Sequence, residues 1–430
     1  MSSPAYEGAN AEQAVAERLR RAGFEVVRTS VQASDIGTDV VAWAASTNGE
    51  LVPWAAVEIK VSRRPIPPEL TLPHLARARD VLGTHDHYAV IGDSWYKADR
   101  ALRSLEPVDG PSAPPYGTKG LVTDPALVEQ ALRQQWFQSD RDRVPKIKLY
   151  WPHSAVDVGE SFAVDLTTPQ GESRAVGQET IWEAGRRVLA TVSERQGRYA
   201  EYSSNPAIAV AAAELLGGRI SGTVLDPFCG TGSFLWAVVD RLRSEGGLRT
   251  RLIGGEINEQ TAEIARSIGQ ASGAPVDIQT GDSFAADLPL ADAIVSAPPL
   301  GVRLSERYRL LSGDSTRESD VAAVDLAIKQ LTPDGRAVLF LPRTFATRAD
   351  TFRHFLARHV SVGALIATPS GSIPGTAVPG LFVVIDRRPH GRQTLVAQLG
   401  ADDWQTQLTP GSALLEAVRR HLDDPGAFEE

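Results

Sequence analysis

What the 430-residue chain lacks narrows its function first. It holds one cysteine, Cys229, which excludes an internal disulfide framework and any zinc site built on cysteines. No charged-then-apolar leader opens it, and its apolar runs are too short and too interrupted to cross a bilayer. An intracellular, cytoplasmic protein with no membrane partner is therefore expected. Net positive charge is also absent: 44 Lys and Arg against 53 Asp and Glu leave −9, which excludes a uniformly basic nucleic-acid coat. It does not exclude a local basic face, because one cleft can be positive on an acidic molecule. No internal repeat is visible. What remains, 42% apolar and 23% charged residues, is ordinary for a globular chain of two or three domains.

Residues 1–105 read as one small α/β unit. "ANAEQAVAERLRRAGFEVV" sets Ala11, Ala14, Val15 and Leu19 at helical spacing, Gly23 stands where a helix should stop, and alternating strands follow. Residues 106–179 are expected to be a linker and a connector. "EPVDGPSAPPYGTKG" is crowded with proline and glycine, "DPALVEQALRQQWFQ" reads as a helix with Asp124 as N-cap and Pro125 at its first position, and "KIKLYW" and "ESFAVDL" read as strands. From about 180 to 390 helix and strand alternate as in a doubly wound parallel sheet, and 391–430 are expected to form a terminal helical cap.

The chemistry-bearing stretch of the second half is "GTVLDPFCGTGSFLWAVVDRL", a strand, a glycine turn through Gly230 and Gly232, and a helix. Glycine lets backbone pass close to a ligand, and a helix N-terminus offers unpaired N–H groups. Asp226, at the strand end, is placed to accept hydrogen bonds from loop amides or from a cationic ligand. A phosphate loop would need a Gly-Lys pair, and a dinucleotide fold prefers G-x-G-x-x-G; the chain has neither. A close-packing turn without a ligand would leave what lies downstream unexplained. There, a second strand ends in Glu256, where a ribose's paired hydroxyls are read, and "IQTGDSF" puts Asp282 after a third.

"DPFCGTGSF", "GGEIN", "GDSF" and a later x-Pro-Pro element resemble the S-adenosylmethionine-dependent methyltransferases acting on adenine N6 in DNA, and most of all the modification subunit of type I restriction–modification systems. "AAVDLAIKQLTPDGRAVLFLPRTFATR" resembles that family's helix and proline-ended strand, and "FRHFLARHVSVGALIATPSGSIPGTAVPGLFVVIDR" its closing helix and antiparallel strands. "GRYAEYSSNPAIAVAAAELL" resembles the segment covering the methionine end of the cofactor, with Asn205-Pro206 in place of the usual threonine-proline. The resemblance implies a Rossmann-like methyltransferase fold. It also implies that Asp226, Gly230 and Gly232 cradle the amino-acid part of S-adenosylmethionine beside Tyr202 and Phe228. Glu256 would hold the ribose, Asp282 the adenine amino group, and Cys229 would be a small loop filler.

Family members carry Asn, Asp or Ser before the two prolines and an aromatic after them. The polar group and the first proline's carbonyl accept hydrogen bonds from the target amino group, and the aromatic stacks on the flipped base. This chain has Ala297-Pro298-Pro299-Leu300, which leaves only the Pro298 carbonyl. Losing one preorganised polar group costs about 10²–10³ in rate. Losing a stacking platform costs about 1–3 kcal/mol. Together these imply methylation slowed by roughly three to five orders of magnitude. Ser296 would reach the polar role only by a one-residue slip that reverses its direction on the strand. Compensation by another residue, or a substrate other than adenine, stays open.

The first half carries a second candidate site, in "DIGTDVVAWAASTNGELVPWAAVEIK". Asn48-Gly49 reads as a two-residue hairpin turn, and symmetric counting from it sets Asp39 opposite Glu58, with Lys60 on the same face. Facing carboxylates repel unless a cation lies between them, so a Mg2+ ion is expected at Asp39 and Glu58, with Lys60 orienting water or stabilising phosphate charge. Pro53 could shift that register through a bulge. The pattern resembles the PD-(D/E)XK nuclease superfamily, and the resemblance adds a helix glutamate, Glu12, to the catalytic set. The alternative is a surface hairpin with a solvated Glu–Lys pair. His85 and His87 are expected on an exposed loop, and "RQQWFQSDRDRVPKIK" reads as a solvated helix end as readily as a phosphate contact.

These readings add up to a restriction–modification or phage-defence component acting on double-stranded DNA. It would join a Mg2+-dependent nuclease-like domain to a cofactor-binding, catalytically impaired adenine methyltransferase-like domain. No target-recognition module is evident after Arg388, so sequence specificity would come from the connector, a specificity subunit or another defence-system protein. A working methyltransferase of unusual substrate and a non-catalytic DNA-binding scaffold are the alternatives.

Overall fold

A computed structural model describes residues 4–33, 36–62, 65–137, 161–166, 173–194, 204–348, 350–373, 375–388 and 393–423. Described residues up to Ala184 form one compact unit and those from Gly185 a second.

The first unit runs α1 (Pro4–Arg21), β1 (Val26–Ala33), β2 (Ile36–Ala45), β3 (Glu50–Lys60), α2 (Leu72–Leu82), β4 (Asp86–Ile91), β5 (Ser94–Ala98), β6 (Leu105–Val108), β7 (Leu121–Val122), α3 (Pro125–Phe137), β8 (Ser161–Asp165) and β9 (Ser173–Gly177). Its sheet has nine strands: the path β6-β5-β4-β3-β7-β9-β8, with β2 pairing β3 and β1 pairing β2. Val15, Ala16 and Leu19 of α1 bury against Val40, Ala42, Val57 and Ile59 on one face of that sheet. The expected boundary at 105 does not hold, because β6 to β9 continue the same sheet. Short strands flanked by Pro and Gly carry too few alternating positions to be read as sheet members, and here edge pairing supplies what local pattern does not. "KIKLYW" and the segment after Phe137 lie outside the described residues, whereas Asp124 caps α3 as expected, accepting the Ala126 amide at 2.9 Å.

The second unit begins within α4 (Gln178–Glu194) and continues as α5 (Pro206–Leu215), β10 (Thr223–Asp226), α6 (Ser233–Ser244), β11 (Arg251–Glu256), α7 (Glu259–Gln270), β12 (Val276–Thr280), β13 (Ala291–Ser296), β14 (Arg303–Arg309), β15 (Ser315–Glu318), α8 (Ser319–Gln330), β16 (Leu331–Pro342), α9 (Asp350–His359), β17 (Ser361–Ala367), β18 (Gly380–Asp386), β19 (Leu395–Gln398), α10 (Trp404–Gln407) and α11 (Ala413–Asp423). Eight strands lie in the order β12-β11-β10-β13-β16-β18-β17-β19. The first five are mutually parallel, and β18 runs antiparallel between β16 and β17. This is a mixed α/β, doubly wound, Rossmann-like architecture. The expected purely helical cap is corrected in part: β19 joins the sheet before the two closing helices. The separate β14–β15 ribbon was not expected.

Burial on both faces explains the near-continuous apolar runs of β13 and β16. One buried cation crosses this apolar interior. Arg336 of β16 donates to Asp386 at 2.7 Å and Asp423 at 2.8 Å, and to the carbonyls of Leu216 and Leu422. It thereby fastens α11 to the sheet.

No described helix is long and apolar enough to cross a membrane.

Candidate functional site

In a parallel sheet the loops at the strands' carboxyl ends converge where the strand order reverses. Here that point lies between β10 and β13, the two strands that Val224↔Ala293 and Leu225↔Ile294 pair. Asp226, Glu256, Asp282 and the Ala297–Leu300 loop all follow strand ends on this edge.

Asp226 is fully buried. Its Oδ1 accepts from the Phe228 amide at 3.1 Å and the Ser296 hydroxyl at 2.5 Å, while its Oδ2 has no hydrogen-bond partner among the described residues. Burial pushes this carboxyl up to about 7 against the pull of those two donors, and the nearby Glu256 charge adds to the rise. The amide of Gly230, which Asp226 could have taken, goes to Glu256 Oε2 at 3.0 Å, and Glu256 Oε1 takes the Asn258 amide at 2.7 Å. Burial also raises Glu256, opposed by those amides. Glu256 therefore holds the glycine loop and the start of α7 together. Asp282 is exposed and accepts the Phe284 amide at 3.0 Å.

The loop needs its glycines. Gly232 has φ +90°, and a Cβ there would collide with the Trp236 indole, whose N–H donates to the Thr231 carbonyl. Gly230 also has positive φ, at 56°. Cys229 is buried, with its thiol pushed well up by that burial, as suits an inert filler. A buried acceptor unpartnered among the described residues, a turn through two glycines at positive φ and a second carboxylate bound to that turn fit a ligand that brings an ammonium and hydroxyls. Tyr202 lies outside the described residues; Asn205 caps α5 by accepting the Ala207 amide at 2.9 Å.

Sequence reasoning missed an aromatic run beside this loop. Phe228 and Phe284 lie 5.0 Å apart between centroids, and Tyr308 of β14 meets Phe284 edge-on at 5.5 Å. "GDSF" contains one member of the run; Tyr308 carries no local signal, since only the β14–β15 ribbon brings it there.

The Ala297–Leu300 loop leaves β13 with Ala297 half-buried, Pro298 buried and Pro299 exposed. The Ser319 hydroxyl donates to the Pro299 carbonyl at 2.7 Å, whereas among the described residues nothing donates to the carbonyl of Pro298. Ser296 points to Asp226, so its hydroxyl is committed elsewhere.

In the first unit, the register Val40↔Val57, Val41↔Ala56 and Ala42↔Ala55, continued by one pair, sets Asp39 opposite Glu58. The route differs from the expected one. Ser46 donates its amide and hydroxyl to the Glu50 carbonyl around a three-residue loop with Gly49 at φ 81°, and the strands near it pair as Ala45↔Leu51 and Trp43↔Pro53. A bulge after Pro53 then restores the symmetric count. Lys60 Nζ donates to Glu58 Oε1 at 2.7 Å, and Asp39 Oδ2 takes the Ile59 amide at 2.6 Å. Burial raises the Glu58 carboxyl; the Lys60 hydrogen bond opposes this and the Asp39 charge reinforces it. Glu12 accepts from the Ser30 hydroxyl at 2.7 Å, and among the described residues no three His, Cys, Asp or Glu side chains gather as a metal group. Asp39 and Glu58 thus face each other with Lys60 beside Glu58, while the described contact of Glu12 is to Ser30.

One of the two histidines needs correction. His85 is exposed just before β4, as expected, and stacks on Trp54. His87 instead lies within β4 and is buried, bonded to Thr84 Oγ1 at 2.9 Å and pushed down to about 4 by that burial, so it is neutral at pH 7.

Residues 188–406, just over half of the chain, match the family model described as N-6 DNA Methylase. Three solved structures are similar over part of their length. A type I restriction–modification methyltransferase subunit from Streptococcus thermophilus is 18% identical, covering 57% of this chain and 58% of its own, with TM-score 0.47. A provisionally assigned type I modification subunit from Vibrio vulnificus is 18% identical over 53% of each chain, with TM-score 0.46. A provisionally assigned class I S-adenosylmethionine-dependent methyltransferase from Listeria monocytogenes is 15% identical, covering 57% and 79%, with TM-score 0.48. The chain thus spans little more than half of the two modification subunits. No curated protein matches it.

Proposed function

The chain belongs to the N-6 DNA methylase family, and from that premise we propose that its second unit binds S-adenosylmethionine and receives an adenine of double-stranded DNA, with methyl transfer weakened by its altered motif. The observation that carries the reading is Asp226 Oδ2, a buried acceptor without a donor among the described residues. A carboxylate in that state is costly unless a ligand supplies the missing partner. When bound, the cofactor supplies an electrophilic methyl group. Asp226 takes its ammonium, Glu256 its ribose hydroxyls through lone pairs the amides leave free, and exposed Asp282 its adenine amino group, with Tyr202 and Phe228 alongside. The Pro298 carbonyl accepts one hydrogen of the target amino group; Ala297 accepts none and Leu300 stacks poorly.

Titration calorimetry with S-adenosylmethionine, paired with labelled methyl transfer to plasmid DNA, tests this. Wild type binds and transfers slowly, and Ala297→Asn combined with Leu300→Tyr raises transfer by about 10³-fold or more. Absence of binding by the wild type would remove the reading. Wild-type transfer as fast as that of the double variant would remove the impairment alone. Membership of the family supports DNA as a partner. Further restriction–modification subunits, including a specificity subunit that reads the sequence, complete the proposed assembly.

A second reading is favoured by Asp39, Glu58 and Lys60 sharing one sheet face. On it, the first unit is a Mg2+-dependent endonuclease of a phage-defence system, with Asp39 and Glu58 holding the ion, which neutralises phosphate charge. Lys60 keeps the Glu58 carboxylate ionised and oriented, which the raised Glu58 requires. Plasmid nicking in magnesium, abolished by Glu58→Ala, is the expected result; equal cleavage by variant and wild type refutes it.

A further inference from the structure

The segment between the Ala297–Leu300 loop and α8 is a ribbon laid along α8, where Lys329 Nζ donates to the Arg309 carbonyl at 2.9 Å and the Leu311 amide to Asp325 Oδ1 at 2.7 Å. It leaves at Val302, whose carbonyl accepts the Ser319 amide at 3.2 Å, and returns at Ser319, whose hydroxyl holds the Pro299 carbonyl. Between these pins, β14 and β15 pair only with each other. Leu304 and Tyr308 are half-buried, Tyr308 against Phe284 and under the Lys329 ammonium, which lies 4.4 Å from its ring centroid. Arg307 and Arg309 flank Tyr308 and are exposed, as are Arg303, Ser305 and Glu306 beyond a register shift in β14, and Ser315 and Arg317 on β15.

Arg307 reaches Ser315 across the ribbon at 3.2 Å, and among the described residues none of Arg303, Arg307, Arg309 and Arg317 forms a salt bridge. A chain of net charge −9 thus carries four arginines and two acids between residues 303 and 317, immediately after the Ala297–Leu300 loop. Elsewhere its arginines are commonly paired, as Arg186 is with Asp240 and Arg348 with Asp320. A row of unneutralised guanidiniums on an exposed ribbon matches a polyanion whose charges repeat along a line.

We propose that the outward face of the β14–β15 ribbon grips the phosphate backbone of duplex DNA flanking the base presented to Pro298. The inference rests on the DNA-acting reading above and deepens it by naming the surface. Backbone gripping of this kind positions the duplex without reading its sequence, so its removal weakens all sequences alike.

The test is fluorescence anisotropy of the full chain with labelled duplexes of two unrelated sequences, from about 50 to 200 mM salt. Arg303→Ala/Arg307→Ala/Arg309→Ala is expected to bind both duplexes at least tenfold more weakly at low salt. Its log–log salt slope should be shallower by about 2–3, one for each phosphate no longer neutralised. The triple Lys variant retains the slope, and Arg251→Ala, at the opposite end of the sheet, leaves it unchanged. A slope equal in wild type and triple Ala variant overturns the proposal, as does tighter, ribbon-dependent binding of single-stranded RNA than of duplex. Should the triple Ala variant lose its fold by circular dichroism, Arg307→Glu alone decides, with a slope shallower by about 1–2 expected and no change overturning the idea. Cofactor calorimetry separates the two readings. A chain that binds S-adenosylmethionine but ignores the ribbon keeps its function and loses this surface. A chain that grips DNA by the ribbon yet binds no cofactor does the reverse.

Discussion

Asp226→Asn probes a carboxyl that the second unit buries with one oxygen unpartnered among the described residues. Asp226 is raised from an ordinary 3.8 to about 7, mainly by burial. Its protonated form is therefore the one the folded chain prefers. Stability is complete below about 4 and falls as pH climbs towards 7, by roughly 4 kcal/mol over some three units. Asparagine is uncharged and nearly isosteric, and its oxygen can still accept from Ser296 and Phe228, so the variant should show no such decline. Ligand binding provides the sharper measurement. At pH 6, below that value, the protonated side chain is the major form. An ammonium brought to Oδ2 favours the carboxylate, and binding must release that proton. Calorimetry in MES and in imidazole, which differ in ionisation enthalpy, should show proton release on S-adenosylmethionine binding at pH 6 that fades as pH rises past 7. The variant should release almost none and bind some 10- to 100-fold more weakly, the worth of one hydrogen bond to a charged group. Equal affinity of the variant, or no proton release by the wild type at pH 6, would refute the assignment of Oδ2 to the ammonium.

Gly232→Ala is expected to cost about 2–4 kcal/mol, combining strain at positive φ with displacement of the Trp236 indole. Thermal unfolding should fall by roughly 5–15 °C, and a melting point within a degree of wild type would contradict the packing described. Arg336→Met should cost about 3–5 kcal/mol by stranding buried Asp386, and adding Asp386→Leu should recover most of it. Urea unfolding that shows the double variant as unstable as the single would count against charge stranding as the cause.

The sequence carried the second fold plainly because four of its five mutually parallel strands end in a recognisable punctuation: Asp226 before the glycine turn, Glu256 before Asn258, Asp282 after Gly281, the two prolines after Ala297. Such signals are local, and local signals survive in one dimension. The partnership of Ser296 with Asp226 is not local. It arises because β10 and β13 are neighbours although 70 residues separate the two side chains. The same holds for β7 and β9, too short for any periodicity, and for Tyr308. In the first unit, Asp39 was aligned with Glu58 by counting from a symmetric turn, and the alignment holds through two opposite departures, a longer loop and a bulge after Pro53. Proline's missing donor foretold the second departure but not its direction.

The guanidinium of Arg336 also bears on the order in which the chain can mature. Its partners are at 216, 386, 422 and 423, so β16 leaves the ribosome with a cation destined for the interior and nothing yet made to neutralise it on its C-terminal side. Asp386 on β18 follows 50 residues after Arg336 and can take the guanidinium first, while Asp423 and the Leu422 carbonyl complete its partners only when α11 docks. The cation that β18 holds within the sheet is thereby also the seat of the closing helix.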